Sequence, residues 1–314
     1  MELRHLRCFL AVAEELHFAR AAEKLHIEQS PLSRAIKELE EELGVGLFAR
    51  TTRSTRLTRA GKLFLAHVRR VFAALEQARD SVKSAANGFH GQLRVALSDG
   101  ITPSRLPALL ALCRQEEPEV ELRFFEVPLS QQIKGLHDDL YDVGFAQSDE
   151  VGDGIATIPA WRDTLIVTVP ARHPLLAHKR IPLEELLRYP LVLCDPQVGE
   201  GHAKFVDRVL RRADIEPLVA ERVASCDLMM ALVSAGLALG FTGAARIAAN
   251  PDSGVVARPL ALRVPPLTTY LLYPDGEPFD VLTRFIERVQ AIESPEAPRP
   301  KSDHHSDSLE EPLP

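Results

Sequence analysis

Three apolar stripes at helical spacing, followed by a run of bases, occupy the first seventy or so residues and constrain this chain more than any other feature. Leu3, Leu6, Phe9, Leu10 and Ala13 recur as one face of a helix. Phe18, Ala21, Ala22 and Leu25 mark a second helix too short to hold itself up, and the connector His26-Ile27-Glu28 leads to a third stripe, Leu32, Ala35, Ile36, Leu39 and Leu43. The third helix opens at Ser30-Pro31, where proline's missing N–H costs nothing, and stops at Gly44. This order is a helix-turn-helix. Its second member presents Gln29, Ser30, Ser33, Arg34 and Lys37, with Pro31 in the first turn, away from the apolar side.

Between Leu43 and Phe72 stand Arg50, Arg53, Arg56, Arg59, Lys62, Arg69 and Arg70 without one Asp or Glu, although the whole chain carries a formal charge of -7. A charge run alone is commonly a solvated face; behind a helix-turn-helix, a basic strip on an acidic chain asks for a polyanion, and duplex nucleic acid is the commonest one. Gln29 and Ser33 can reach base edges, while Arg34 and Lys37 can reach guanine or a phosphate. Arg50, Arg53 and Arg56, spaced by Thr and Ser, read as a β wing along the nucleic-acid backbone. The acids Glu38, Glu40, Glu41 and Glu42 are expected at the far end of the recognition helix, facing away from DNA.

The string from Phe18-Ala-Arg-Ala-Ala through Gln29-Ser-Pro-Leu-Ser, Leu39-Glu and Leu43-Gly to Leu47-Phe, Arg50 and Leu57-Thr-Arg-Ala-Gly resembles the amino-terminal signature of LysR-type transcriptional regulators. It spans about sixty residues with several anchored spacings. One departure is Glu28, where the family often has Ser before the Gln. The resemblance implies a winged helix-turn-helix, a dimerising linker helix and a second part similar to periplasmic binding proteins that senses a small molecule. It also implies tetramer formation.

Residues 58–87 are one uninterrupted helical pattern without proline, with Leu63, Leu65, Val68, Val71, Phe72, Leu75, Ala78 and Val82 on one side and Asn87-Gly88 closing it. At roughly 45 Å such a helix is too long for a body of sixty residues to cover. A second copy of the chain buries the stripe better, with Phe72 and Leu75 at the dimer seam, and a dimer sets two recognition helices on half-sites about one helical turn apart.

From Gln92 onward strands alternate with helices, which argues for an α/β architecture. Strands are expected over 93–97, 121–126, 142–146 and 268–272, with helices over 103–114, 131–140 and 279–291. A second set holds strands over 165–169, 191–194, 218–223 and 237–242, with helices over 205–210 and 228–235. Two doubly wound subdomains crossed twice by the chain leave a cleft bounded by strand carboxyl ends and helix amino termini, whose free N–H groups favour polar and anionic ligands. The lining candidates are Ser98, Gly100, Thr102, Leu129, Ser130, Gln147, Asp195, His202, Ser225 and Thr242. The resemblance adds that regulators of aromatic catabolism often carry an arginine after the Gly-Phe-Xaa strand that matches Val143-Gly-Phe-Ala. Gln147 stands there instead, which favours a neutral or singly charged effector over a dicarboxylate.

The expected organisation is a winged helix-turn-helix over 1–58, a linker and dimerisation helix over 59–88, and an effector-binding domain over 89–292. Within the last, subdomain I takes about 92–163 and 267–292, and subdomain II about 164–266. The tail 293–314, with five prolines and six acids, cannot form a core and is expected to be disordered. Cys8, Cys113, Cys194 and Cys226 lie far apart with no CxxC pair, as for reduced thiols in the cytoplasm rather than a zinc module. Met-Glu-Leu-Arg-His does not open a signal peptide, and the longest uncharged stretch, residues 228–245, contains three glycines and is too short to span a membrane.

No GxSxG elbow, Walker loop, HExxH or GxGxxG after a strand occurs, and His173 and His178 are spaced i, i+5, wrong for one helical face. The expected function is therefore a DNA-binding regulator working as a homodimer or homotetramer, with an operator and a small metabolite as partners and no cofactor or metal. A thiol-based redox regulator using Cys194 and Cys226 is the alternative, ahead of an α/β enzyme or a solute-binding protein. If the strands at 191–194 and 218–223 are parallel neighbours, both thiols fall near the cleft mouth.

Overall fold

In the computed structural model the described residues are 1–50, 54–86, 89–99, 105–249 and 254–292. Asn87, Gly88 and the tail 293–314 lie outside them, so the expected helix stop and the expected disorder concern residues outside that set.

The amino-terminal stripes fold as their spacing dictates. Helices α1 (Leu3–Glu15), α2 (Phe18–Lys24) and α3 (Gln29–Leu43) precede a two-stranded antiparallel wing, β1 (Phe48–Arg50) and β2 (Thr55–Leu57), with Phe48 opposite Leu57. Leu6, Phe9, Val12, Ala21, Ala22, Leu32, Ile36 and Leu39 close one core, and Leu47 and Phe48 carry the wing root into it. Phe48 lies with its ring centroid 5.3 Å from Phe9 and 6.0 Å from Phe18. The Phe18-Ala-Arg-Ala-Ala string thus supplies one aromatic anchor for the wing and two small residues where the helices approach closely.

Helix α4 (Arg59–Ala86) is 28 residues long, about 42 Å. Its apolar residues divide between two faces rather than forming one exposed stripe. Phe64, Leu65, Val68 and Phe72 pack on the amino-terminal core, whereas Leu63, Val71 and Val82 stand exposed and Leu75 is half-buried. Farther along, Arg70 donates to the His137 carbonyl at 3.0 Å, and Arg123 pairs with Asp80 at 2.5 Å, fastening the helix to the α/β half.

The first lobe of that half holds β3 (Gly91–Leu97), α5 (Leu106–Glu116), β4 (Val120–Glu126), α6 (Leu129–His137), β5 (Val143–Ala146) and β6 (Ile155–Asp163). The chain crosses at Thr164 into the second lobe, built from β7 (Leu165–Pro170), a 3-10 turn (Pro174–Ala177), α7 (Leu183–Leu186), β8 (Leu191–Cys194), α8 (Glu200–Leu210), β9 (Val219–Val223), α9 (Cys226–Ser234), β10 (Gly240–Gly243), α10 (Ala244–Ala249) and β11 (Val255–Arg258). It returns through β12 (Leu267–Pro274) and α11 (Asp280–Ala291), which complete the first lobe.

Strand directions are mixed in both lobes of the expected two-subdomain α/β unit. In the first, ordered β4-β3-β5-β12-β6, β3 runs parallel to β4 and β5 while β12 is antiparallel to β5 and β6. In the second lobe β7 is antiparallel to both β10 and β11. Strands β8 and β9 are parallel neighbours, the condition on which both thiols fall near the cleft mouth, and the Leu191–Leu239 bridge joins the pair to the chain just before β10. Each lobe has its own core, one around Phe145, Trp161 and Phe285, the other around Val167, Leu191 and Phe241.

Candidate nucleic-acid interface and ligand cleft

On α3 the apolar side is sealed and the polar side is open. Leu32 and Ile36 are fully buried, while Gln29, Ser30, Pro31, Arg34 and Lys37 are exposed and Ser33 is half-buried. The N-cap residue Glu28 makes no side-chain bond to the first turn, so the helix dipole's positive end and its N–H groups are left facing outward, a favourable setting for a phosphate. Lys37 pairs with Glu41 at 3.4 Å, but both are well exposed, and such an i, i+4 pair yields readily to a phosphate.

The remaining acids of α3 have partners within the protein, Glu38 and Glu42 at the surface and Glu40 half-buried. Glu38 lies 3.4 Å from His5 Nε2, and Glu42 meets the amine of Met1. Glu40 does structural work that sequence reasoning missed: its Oε1 accepts from the backbone N–H of Leu47 at 2.7 Å and of Phe48 at 3.0 Å. One carboxylate thereby fixes the wing root to the recognition helix. The signal was the Leu39-Glu pair in the motif, which puts an acid immediately after a buried leucine.

The wing's other end is set by Leu57-Thr-Arg-Ala-Gly. Thr58 accepts from the Gly61 N–H at 3.0 Å, capping α4, and donates to the Gly46 carbonyl at 2.8 Å. A Cβ at Gly61 would stand 2.1 Å from the Leu47 carbonyl oxygen, so only glycine permits this approach. Arg56 is exposed on β2. Arg53 and the side chain of Arg50 lie outside the described residues.

The expected cleft residues fall into separate groups. Ser98, Gln147 and His202 meet at the seam between lobes: Ser98 Oγ donates to the Phe145 carbonyl at 3.2 Å, and His202 Nδ1 is 2.9 Å from Gln147 Oε1. Burial pushes the His202 imidazole below its usual range, against the opposing pull of Asp99. Thr242 is buried, with its hydroxyl 3.7 Å from Cys226 Sγ. Ser225 caps α9 by accepting from the Leu228 N–H, and Asp195 accepts from the Gln197 N–H at 2.8 Å in a local turn. Ser130 is exposed in the first turn of α6. Leu129 is 1% exposed and packs with Leu136, Ala146 and Leu272, so it stiffens the wall rather than lining a surface. Gly100 and Thr102 lie outside the described residues.

Asp99 lies within the stretch 98–102 expected to line the cleft, but its part in joining the two lobes was not foreseen. Its carboxylate accepts from Gln147 N–H at 2.9 Å in one lobe and Gly201 N–H at 2.7 Å in the other. An acid two residues after a strand that ends on a buried apolar run, and just before Gly100, was the available signal. Nearby, burial pushes the Cys194 thiol up to about 11, with Asp99 and Asp195 adding to the shift. Cys226 is also raised by burial, although Arg246 opposes it. Both thiols are free.

A winged helix-turn-helix with an open polar face, carried on a long helix that leads to a two-lobed α/β unit, is the architecture of a DNA-binding regulator with a sensory domain. Residues 3–62 match the bacterial regulatory helix-turn-helix protein, lysR family, and residues 86–292 match the LysR substrate binding domain. The chain belongs to the LysR family of DNA-binding transcriptional regulators. It is 36% identical to the HTH-type transcriptional regulator YnfL of Escherichia coli over 238 residues, 76% of this chain and 80% of that one. The Hca operon transcriptional activator HcaR of Escherichia coli is 32% identical over 295 residues, 92% and 97% of the two chains. Among solved structures, the LysR family regulator CbnR in complex with its target DNA matches at a TM-score of 0.65 and 28% identity, covering 93% of this chain and 99% of that one. Among the described residues no helix is long and apolar enough to cross a membrane.

Proposed function

We propose that this protein reads a specific operator with the open face of α3 and adjusts transcription when a small polar effector binds at the seam between the lobes. The observation that carries the first part is the division of α3 into a sealed apolar side and a free row of Gln29, Ser30, Ser33, Arg34 and Lys37. Arg34 and Gln29 take base edges, Ser30, Pro31, Ser33 and Lys37 complete the groove surface, and Arg50, Arg53 and Arg56 follow the phosphates. Residues 1–58 then form the reader, 59–88 the linker and 89–292 the sensor, in a cytoplasmic protein with no catalytic role.

The exposed Leu63, Val71 and Val82 on α4 support pairing with a second copy, to which Leu75 and the outer edge of Phe72 contribute. The high pKa of Cys194 favours a bound effector over a peroxide signal, because the thiolate is the reactive species and is scarce near neutral pH.

Two measurements test this reading. Arg56→Ala should weaken operator and unrelated duplex alike and lower the salt slope by about 1, as for a lost phosphate contact; a loss confined to the operator contradicts the wing assignment. Thermal-shift screening of small polar metabolites should find one that stabilises the folded protein by about 2.7 kcal/mol at 100 times its dissociation constant. Ser130→Val should then reduce that stabilisation while operator binding persists, and equal loss of both contradicts the cleft.

A further inference from the structure

Asp99 closes β3 in the left-handed region, φ 60°, and is 8% exposed. Its Oδ1 accepts from the N–H groups of Gly201 at 2.7 Å and His202 at 3.4 Å, and its Oδ2 from the Gln147 N–H at 2.9 Å, with the Ser98 hydroxyl, whose one proton is shared with the Phe145 carbonyl, 3.2 Å away. The three backbone donors are uncharged, and two belong to the first turn of α8, whose N-cap Gly199 supplies no side chain. A Cβ at Gly201 would lie 2.8 Å from Asp99 Oδ2 and 2.8 Å from the Gln147 carbonyl carbon, so the cradle exists only because residue 201 is glycine. Neutral N–H and O–H dipoles converging at a helix amino terminus are what a protein offers a ligand carboxylate. Here the carboxylate belongs to the chain.

We propose that Asp99 is the built-in occupant of a carboxylate position between the lobes and thereby sets effector class. Molecules that do not deliver a free carboxylate to α8 are accepted, and those that do are refused. Refusal follows from the satisfied state of the position: an incoming carboxylate must expel Asp99 from three N–H donors and leave a buried anion without partners. This inference rests on the seam being the effector site.

The test removes the side chain and supplies its chemistry from solution. Glycine is at ease at φ 60°, so Asp99→Gly isolates loss of the carboxylate from backbone strain. Thermal unfolding is followed in formate or acetate against chloride at equal ionic strength. D99G should melt below the parent protein, and formate or acetate should raise its Tm by about 3 °C or more. The parent should not respond, nor should Asp99→Asn, whose amide still fills the space and turns an N–H2 toward the donors.

A parent protein stabilised as much as D99G, or a D99G indifferent to both anions, overturns the proposal. Should D99G not fold in chloride, folded protein recovered in formate supports it, and none in either salt overturns it. No effector enters this readout. Failure of carboxylate rescue therefore leaves the Ser130→Val result standing, whereas a Ser130→Val variant with unaltered effector response removes the effector site and leaves the rescue intact.

Discussion

Asp142→Ala is expected to destabilise the α/β half by about 3–5 kcal/mol, because it leaves the Arg94 guanidinium buried without a counter-ion, the Asp139 carbonyl at 2.7 Å remaining as a partner. Arg94 Nη2 and Nε donate to the two oxygens of Asp142 at 2.6 and 3.1 Å, and the Arg94 N–H donates to Oδ2 at 2.7 Å. Both side chains are 10% exposed. The pair ties β3 to the start of β5, the two strands whose carboxyl ends carry Asp99 and Gln147. The melting transition of this half should fall by roughly 10 °C, on the scale of a few degrees per kcal/mol. Adding Arg94→Met should recover much of the loss, since replacing both partners with apolar groups is far milder than orphaning one. A single variant that melts like the parent would show that water or a neighbouring group serves Arg94 as well as Asp142 does.

Gly61→Ala is expected to cost about 1–3 kcal/mol in the amino-terminal domain, as overpacking of a closed site does. The added methyl would stand 2.1 Å from the Leu47 carbonyl oxygen and 3.0 Å from a Leu57 methyl. The first of these is backbone and cannot rotate away. Relief requires α4 to pull off the wing root, which breaks the Thr58 cap and tilts β1 and β2 against α3. Operator affinity should fall with stability, measured by anisotropy and chemical denaturation on the same sample. Full stability and full affinity together would mean that the joint between wing and linker is looser than its geometry indicates.

The amino-terminal third was legible because its signals agree. Stripe, proline, glycine stop and basic strip all favour one motif, and Leu32, Ile36 and Leu39 are buried as their spacing requires. The α/β half was legible in most of its strands, the edge strand β4 included, and not in β6 or β11. Strand β6 passed unnoticed because Pro159 interrupts it; the strand lies at the sheet edge, where a lost N–H is tolerated, and the register shifts opposite it between Thr269 and Tyr270. The first half of α8 was missed because Gly201 reads as a helix breaker, whereas its bare Cα is what admits Asp99. Strand β10 begins at Gly240, later than its apolar run suggested, and Leu237 is left 61% exposed in the preceding turn.

The cleft was legible as a set of segments and not as a set of contacts. Strand ends could be placed from alternation, but the meeting of Asp99 with Gly201 spans 102 positions in sequence and no local pattern encodes it. Leu129 shows the converse limit. Its position at the start of α6 was foreseen, while the direction of its side chain, into the core beside Leu136, depends on the packing of β5 and β12.

The central claim is that the exposed face of α3 reads DNA sequence, and quantitative footprinting of the purified protein on the DNA upstream of its own gene tests it most directly. Arg34→Ala and Gln29→Ala should each weaken operator binding by about 1–3 kcal/mol and relax the preference at one operator position, with non-specific affinity little changed for Gln29. An Arg34→Ala protein that protects the same operator at the same concentration, with the same base preferences, would contradict the placement of this helix in the groove.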